Sequence, residues 1–207
     1  MNMLIPGLAA VAAIAVAGLV IFAQFGEEPP AKPYANDFTF SDIIVIKEGL
    51  TAYNLSLSVP TPITDSTIDQ YCTYFDADGK QHYVSYCTTT ALVESGATVG
   101  NINIGGTVDG GPVLAVALVE SASLDPGRAE GVFEVMARTL VCDCWADVRP
   151  GGFASIQEWM DEVRMQFAAS DQSLPLKSRI SGLDQKDLVL EIRLTDNLYL
   201  WALVVTK

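Results

Sequence analysis

Residues 198–205 read LYLWALVV. A strand with one wet face alternates apolar and polar side chains, and this run does not. Both of its faces are therefore expected to be covered, as in a central strand of a sheet shared by the whole body. Immediately upstream, Leu188, Leu190, Ile192 and Leu194 alternate with Val189, Glu191 and Arg193. Asp196-Asn197 supplies a turn, so the two segments read as a hairpin.

Further upstream the period changes to that of helices. From Asp125-Pro126-Gly127, the apolar positions Val132, Phe133, Met136, Ala137 and Leu140 recur three and four apart. Arg149, Pro150, Gly151 and Gly152 break the pattern. A second helix is expected from Phe153, Ile156, Met160, Val163 and Phe167, with Ser155 and Glu158 as a capping box.

Residues 37–120 are β-rich. The segment 38–46 (FTFSDIIVI) is full of strand formers. Tyr53, Leu55, Leu57 and Val59 alternate with polar residues until Pro60 and Pro62. Residues 68–75 and 82–90 flank the turn signal Asp76-Ala77-Asp78-Gly79-Lys80. Two more strands, 99–104 and 113–119, are separated by a Gly-rich loop at 105–111. Six short strands with turns between them predict a β-sandwich-like lobe.

Within this lobe, residues 72–80 (CTYFDADGK) and 93–98 (VESGAT) carry a resemblance. The stretch resembles the FxLYD and related Ig-like domains of secreted and membrane-anchored prokaryotic proteins. Cys72 stands for the motif's Phe, Tyr74 for its Leu and Phe75 for its Tyr. Asp76 and the Asp78-Gly79-Lys80 turn match. The resemblance spans roughly residues 40–120 and implies an adhesion-like or scaffolding module with no catalytic residues to carry over.

The fold class expected is α+β: an N-terminal transmembrane helix, a β-sandwich-like lobe, two helices and a C-terminal β-hairpin. The corresponding segments are an anchor at 1–25, a Pro-rich linker at 26–36, the β lobe at 37–122 and an α+β lobe at 123–207. The last two read equally as one continuous domain.

The anchor is read from residues 3–23, MLIPGLAAVAAIAVAGLVIFA, 21 residues without a charge. At about 1.5 Å per residue a helix of this length spans about 30 Å, the hydrocarbon thickness of a bilayer. A cleaved signal peptide would have a basic n-region, a shorter apolar stretch and a small-x-small cleavage site. Ala9, Ala13 and Ala17 make a small-residue stripe against which another membrane helix can pack. The linker GEEPPAKP is stiffened by its prolines. Expected partners are thus the bilayer, through residues 3–23, and other membrane-protein subunits. Paired cysteines favour an N-in topology with the body on the periplasmic or cell-surface side.

Charge removes one class of function. Twelve basic against 25 acidic residues give −13, and nucleic-acid binding demands clustered Lys and Arg. No cofactor or metal is implied. His82 is the single histidine, and no G-x-S-x-G elbow is present. Asp76, Asp78 and Gly79 lack the third acid and the closing Glu of a calcium loop. The glycines at 105–106 and 110–111 lie between strands and do not open a helix, as a phosphate loop requires. Asn54-Leu55-Ser56 matches an N-glycosylation sequon, within a strand.

The four cysteines, Cys72, Cys87, Cys142 and Cys144, are disulfide candidates. Cys72 and Cys87 lie symmetrically about Gly79-Lys80, so a two-residue hairpin loop there sets them opposite each other. Cys142 and Cys144 would close a very small ring, poorly suited to a permanent structural bridge. They read instead as buried thiols, as partners of the hairpin cysteines, or as a redox-active pair or half of a metal site. No catalytic constellation emerges. The sequence is most consistent with a non-enzymatic, membrane-anchored accessory or scaffold subunit. The alternatives are a thiol-dependent enzyme or redox protein using Cys142 and Cys144, and a pilin- or virion-type structural protein.

Overall fold

The structure is a computed structural model and describes residues 37–63, 65–75, 81–82, 84–107 and 111–207. The uncharged run at 3–23 with its Ala9, Ala13 and Ala17, the linker at 26–36 and the turn at 76–80 lie outside those residues. Among the described residues no helix is long and apolar enough to cross a membrane.

In chain order the elements are α1 (Asp42–Leu50), a 3-10 turn (Thr51–Tyr53), β1 (Leu55–Leu57), β2 (Thr61–Ile63) and α2 (Ile68–Tyr71). Then come β3 (Tyr74–Phe75), β4 (Gln81–His82), β5 (Tyr86–Glu94), β6 (Ala97–Thr107) and β7 (Gly111–Ser121). The chain continues through α3 (Arg128–Leu140), α4 (Trp145–Val148), a second 3-10 turn (Pro150–Gly152) and α5 (Ile156–Ala169). It closes with β8 (Leu176–Leu183), β9 (Lys186–Thr195) and β10 (Leu198–Thr206).

The fold is α+β, built on one antiparallel sheet of eight strands in the order β1-β5-β6-β7-β10-β9-β8, with β2 also paired to β5. The β10 strand lies between β7 and β9 and pairs with both along its length. That single contact line, Trp201 opposite Val119 on one side and Ile192 on the other, joins the early meander β5-β6-β7 to the late meander β8-β9-β10. The expected β-sandwich is therefore corrected. The second layer over the sheet is helical, with α3 packed on β7 and β10 and α5 on β8 and β9.

The alternation of the strands shows what each face does. Leu92, Ile102, Ile104, Ala115, Ala117, Val119, Leu188, Leu190, Ile192, Trp201, Leu203 and Val205 all join the large core beneath the helices. The helices supply Val132, Phe133, Met136, Leu140, Ile156, Met160, Val163 and Phe167, all buried. The opposite face has a smaller cluster of Cys72, Val84, Cys87, Leu114 and Val116. There Asn103, fully buried, donates from Nδ2 to the Tyr71 carbonyl at 3.0 Å, which fastens α2 over the sheet.

Two segments expected as strands are helical. Residues 42–50 form α1 despite their β-branched composition. Ile43, Ile46 and Leu50, spaced three and four apart, are buried, and α1 packs on α3. Asp42 accepts the Thr39 N–H at 2.6 Å, closing the start of the helix. Packing of this one stripe overrides the local preference for strand. Likewise 68–71 form the short helix α2, so only Tyr74 and Phe75 remain extended before the turn. They pair with His82 and Gln81.

Three hairpins turn on two residues in the left-handed region: Ser95-Gly96, Asp184-Gln185 and Asp196-Asn197. The registers Glu94 to Ala97, Leu183 to Lys186 and Thr195 to Leu198 close around them. This type I′ geometry matches the right-handed twist of the strands. At the end of the sheet, the Lys207 N–H donates to the Val113 carbonyl, and its ammonium donates to the Phe38 carbonyl at 3.1 Å.

Of the capping box expected at the start of α5, the Ser155 half is formed and the Glu158 half is shifted by one residue. Ser155 Oγ accepts from the Glu158 N–H at 3.1 Å, and the Glu158 carboxylate reaches back to the Ala154 N–H. Replacing Ser155 with Ala is expected to cost about 1 kcal/mol, lowering the melting temperature by about 2–4 °C for a body of this size. Thermal unfolding followed by circular dichroism checks this; an unchanged midpoint would show that the cap contributes nothing.

Candidate functional site

The polar side of α3 presents Glu130, Glu134 and Arg138, one turn apart, while its apolar side is buried in the core. Past the end of α3 the chain turns through Cys142, Asp143 and Cys144 into α4. The polar side of α3, Cys142, Asp143, Trp145 and the start of α5 enclose a cleft of about 360 Å³. That volume is in the range of small-ligand sites, roughly 300–1,000 Å³. Its floor is apolar (Ala137, Ile156 and the Trp145 ring). Its lining carries the acids Glu130, Glu134 and Asp143 against the single cation Arg138.

Several contacts hold this lining in place. Trp145 lies against Trp159, ring centroids 5.9 Å apart, and Trp159 is anchored by donation from Nε1 to Ser178 Oγ at 2.8 Å. The Trp145 Nε1–H is itself buried and has no hydrogen-bond partner among the described residues. Tyr53 donates from Oη to Glu134 Oε2 at 2.8 Å. Its ring lies on Gly131, where a Cβ would come within 2.3 Å of the ring. The hydrogen bond to Glu134 and then burial raise the Tyr53 hydroxyl above its ordinary pKa. The Glu130 carboxyl is raised as well, first by burial and then by the like charges of Asp161, Glu134 and Asp125. A positive group entering the cleft relieves that crowding.

The four cysteines lie in two pairs at disulfide distance. Cys72 and Cys87 have Cα atoms 6.1 Å apart, and Cys142 and Cys144 have theirs 5.1 Å apart. The first pair is not set up by the hairpin, as the symmetric placement had suggested. The β3–β4 register pairs Tyr74 with His82 and Phe75 with Gln81, which carried on would set Cys72 against Val84 rather than Cys87, and Cys87 belongs to β5 of the main sheet. It is the docking of α2 on that sheet that brings Cys72 to Cys87. In the second pair the two residues differ in exposure. Cys142 is partly exposed on the cleft wall, and Cys144 is 2% exposed.

His82 falls in β4, away in sequence from the cleft lining, and Asn54 is exposed in a left-handed position just before β1, not within it. Among the described residues no group of three His, Cys, Asp or Glu side chains is placed to hold a metal ion. Glu130, Glu134, Arg138 and Trp145 were not singled out from the sequence. Their signal was there, in the four-residue spacing on the polar side of an expected helix. Compared with family models, curated proteins and solved structures, the chain finds no match.

Proposed function

We propose that the chain is a single-pass membrane protein whose extracytoplasmic body serves as an accessory or scaffold subunit of a larger membrane complex or surface assembly. The observation that carries this reading is the conjunction of two features. Residues 3–23 are an uncharged run of bilayer length, and the body has all four cysteines in pairs at disulfide distance. Paired cysteines suit an oxidising compartment outside the cytoplasm. The first helix of the body adds support. In α1 the adjacent Ile44 and Val45 are 58% and 50% exposed, an apolar pair suited to contact with another subunit.

The reading predicts that the run at 3–23 is retained. Intact mass and N-terminal sequencing of membrane-extracted protein are expected to include it, and the native protein is expected to travel as a large complex in mild detergent. A mature chain starting at residues 24–27 would make the protein a secreted soluble body. Migration as a free monomer would remove the subunit role.

A further inference from the structure

We infer that Cys142 and Cys144 form a reversible redox couple that exchanges with cysteine thiols carried in a positively charged segment of a partner protein. Three independent features of the structure converge on it. The first is the asymmetry of access. Cys142 is partly exposed and lines the acidic cleft, whereas Cys144 is almost wholly buried and borders a separate hollow beside Val148, Pro150 and Arg179. Exchange by thiolate attack needs one approachable sulfur and one that can leave. The second is isolation. Cys72 and Cys87 are both fully buried beneath α2, so the two pairs differ in exposure within one molecule. The third is charge. Glu130, Glu134 and Asp143 outnumber Arg138 around the cleft, in a chain of net charge −13. An attacking thiolate is an anion and is repelled by that rim unless it arrives among Lys or Arg side chains.

The exchange balances as follows. A partner thiolate attacks Cys142 Sγ; the new bond joins the partner's sulfur to Cys142, and the Cys142–Cys144 bond breaks. Its electron pair leaves on Cys144 Sγ, which takes up a proton from water. A second partner thiol, losing its proton, then attacks the partner's own bridged sulfur and releases Cys142 as a thiolate, which is protonated in turn. The partner's two thiols are oxidised to a disulfide, and Cys142 and Cys144 are reduced to two thiols, a transfer of two electrons. The reverse sequence reduces a partner disulfide. Trp145 next to the pair gives the cleft an apolar floor for the side chains that flank the partner's cysteine.

The test uses the full chain in detergent, with the cysteines followed by alkylation and peptide mapping. Under native conditions the Cys142–Cys144 pair is expected to open at a dithiothreitol concentration at least about tenfold below that for Cys72–Cys87, following the difference in access. Two small thiols then probe the charge. Compared per thiolate at low salt, cysteamine is expected to open the pair about tenfold faster than 2-mercaptoethanesulfonate, at the low end of electrostatic steering effects. Salt shrinks that ratio, and Glu130→Gln with Glu134→Gln brings it close to that of a free model disulfide. Cys144→Ser is expected to take up one half of cystamine, the disulfide of cysteamine, as a mixed disulfide at Cys142 with release of one cysteamine, and to hold it because no second thiol is there to displace it. If the two pairs open together, or only as the protein unfolds, the couple is structural and the inference fails. If the pair opens readily but the ratio ignores salt and the carboxylates, the positively charged partner is wrong.

Discussion

A body that stops at residue 195 is expected to lose cooperative unfolding altogether. The comparison is between residues 34–207 and 34–195. In the longer body β10 is hydrogen-bonded to β7 and β9 on its two sides, so deleting it splits the sheet down the middle. The backbone groups of β7 and β9 that faced it become two new sheet edges. The deletion also removes Trp201, Leu203 and Val205 from the core beneath the helices. Each fully buried side chain of this size contributes about 1.5–3 kcal/mol. The loss exceeds about 4 kcal/mol, beyond typical point mutations and a large part of the stability of a single domain. Thermal unfolding and limited proteolysis are the measurements. A shorter body that melts cooperatively at the same temperature would mean that β10 contributes no core, whatever its place in the sheet.

This strand was also the most legible part of the chain, for a physical reason. A strand central in the sheet that buries Trp201, Leu203 and Val205 on one face and half-buries Leu200 and Val204 on the other leaves few polar positions, and the composition shows it directly. The helices α3 and α5 were legible for the same kind of reason, because each buries one continuous stripe. Where burial is slight the pattern fades. Edge strand β8 buries only Ile180 and Leu183, and nothing in LKSRISGL distinguishes it from a loop. The segment that became α1 was misread because its residues are strand formers. What decides it is a distant surface, α3, that its stripe of Ile43, Ile46 and Leu50 happens to fit. The sandwich was the wrong second layer because strand counts say how much sheet there is, not what covers it.

The cleft was legible in pieces only. Cys142 and Cys144 stood out by their spacing. That Cys142 shares a cleft with Glu130 and Glu134 follows from the turn at the end of α3, where the Val141 and Cys142 N–H groups both donate to the Ala137 carbonyl and swing the chain back along the helix. No local pattern announces that reversal. The pairing of Cys72 with Cys87 was anticipated from symmetry about the turn, yet the structure reaches it by another route, through α2 docked on β5 and β6. The position that makes this route available is a glycine that had looked like part of a loop.

Gly105 is that position, and Gly105→Val is expected to cost more than about 3 kcal/mol. Gly105 lies opposite Cys87 in the β5–β6 ladder and opposite Leu114 in the β6–β7 ladder, in the middle of the sheet. Its missing side chain leaves the hollow that Cys72 occupies. A Cβ there would come within 2.8 Å of Cys72 Sγ, 2.9 Å of Cys72 Cβ and 3.3 Å of Val84 Cγ2. Cys72, Cys87 and Leu114 are all fully buried, so Cys72 has no room to retreat while α2 stays docked. Two costs then combine. Overpacking a filled core costs about 1–3 kcal/mol. Losing a bond that closes a loop of this length (sequence separation 15) costs about 3 kcal/mol. The two are separable by a cycle in which Cys72→Ala with Cys87→Ala removes the bond first. In that background Gly105→Val is expected to cost less than in the parent, since part of the clash is with the sulfur itself, and the shortfall measures the coupling. Non-reducing peptide mapping and thermal unfolding give the two readouts. A Gly105→Val protein that still links Cys72 to Cys87 fully and melts with the parent would show that α2 can shift at no cost. The glycine would then have no part in bringing the two sulfurs together.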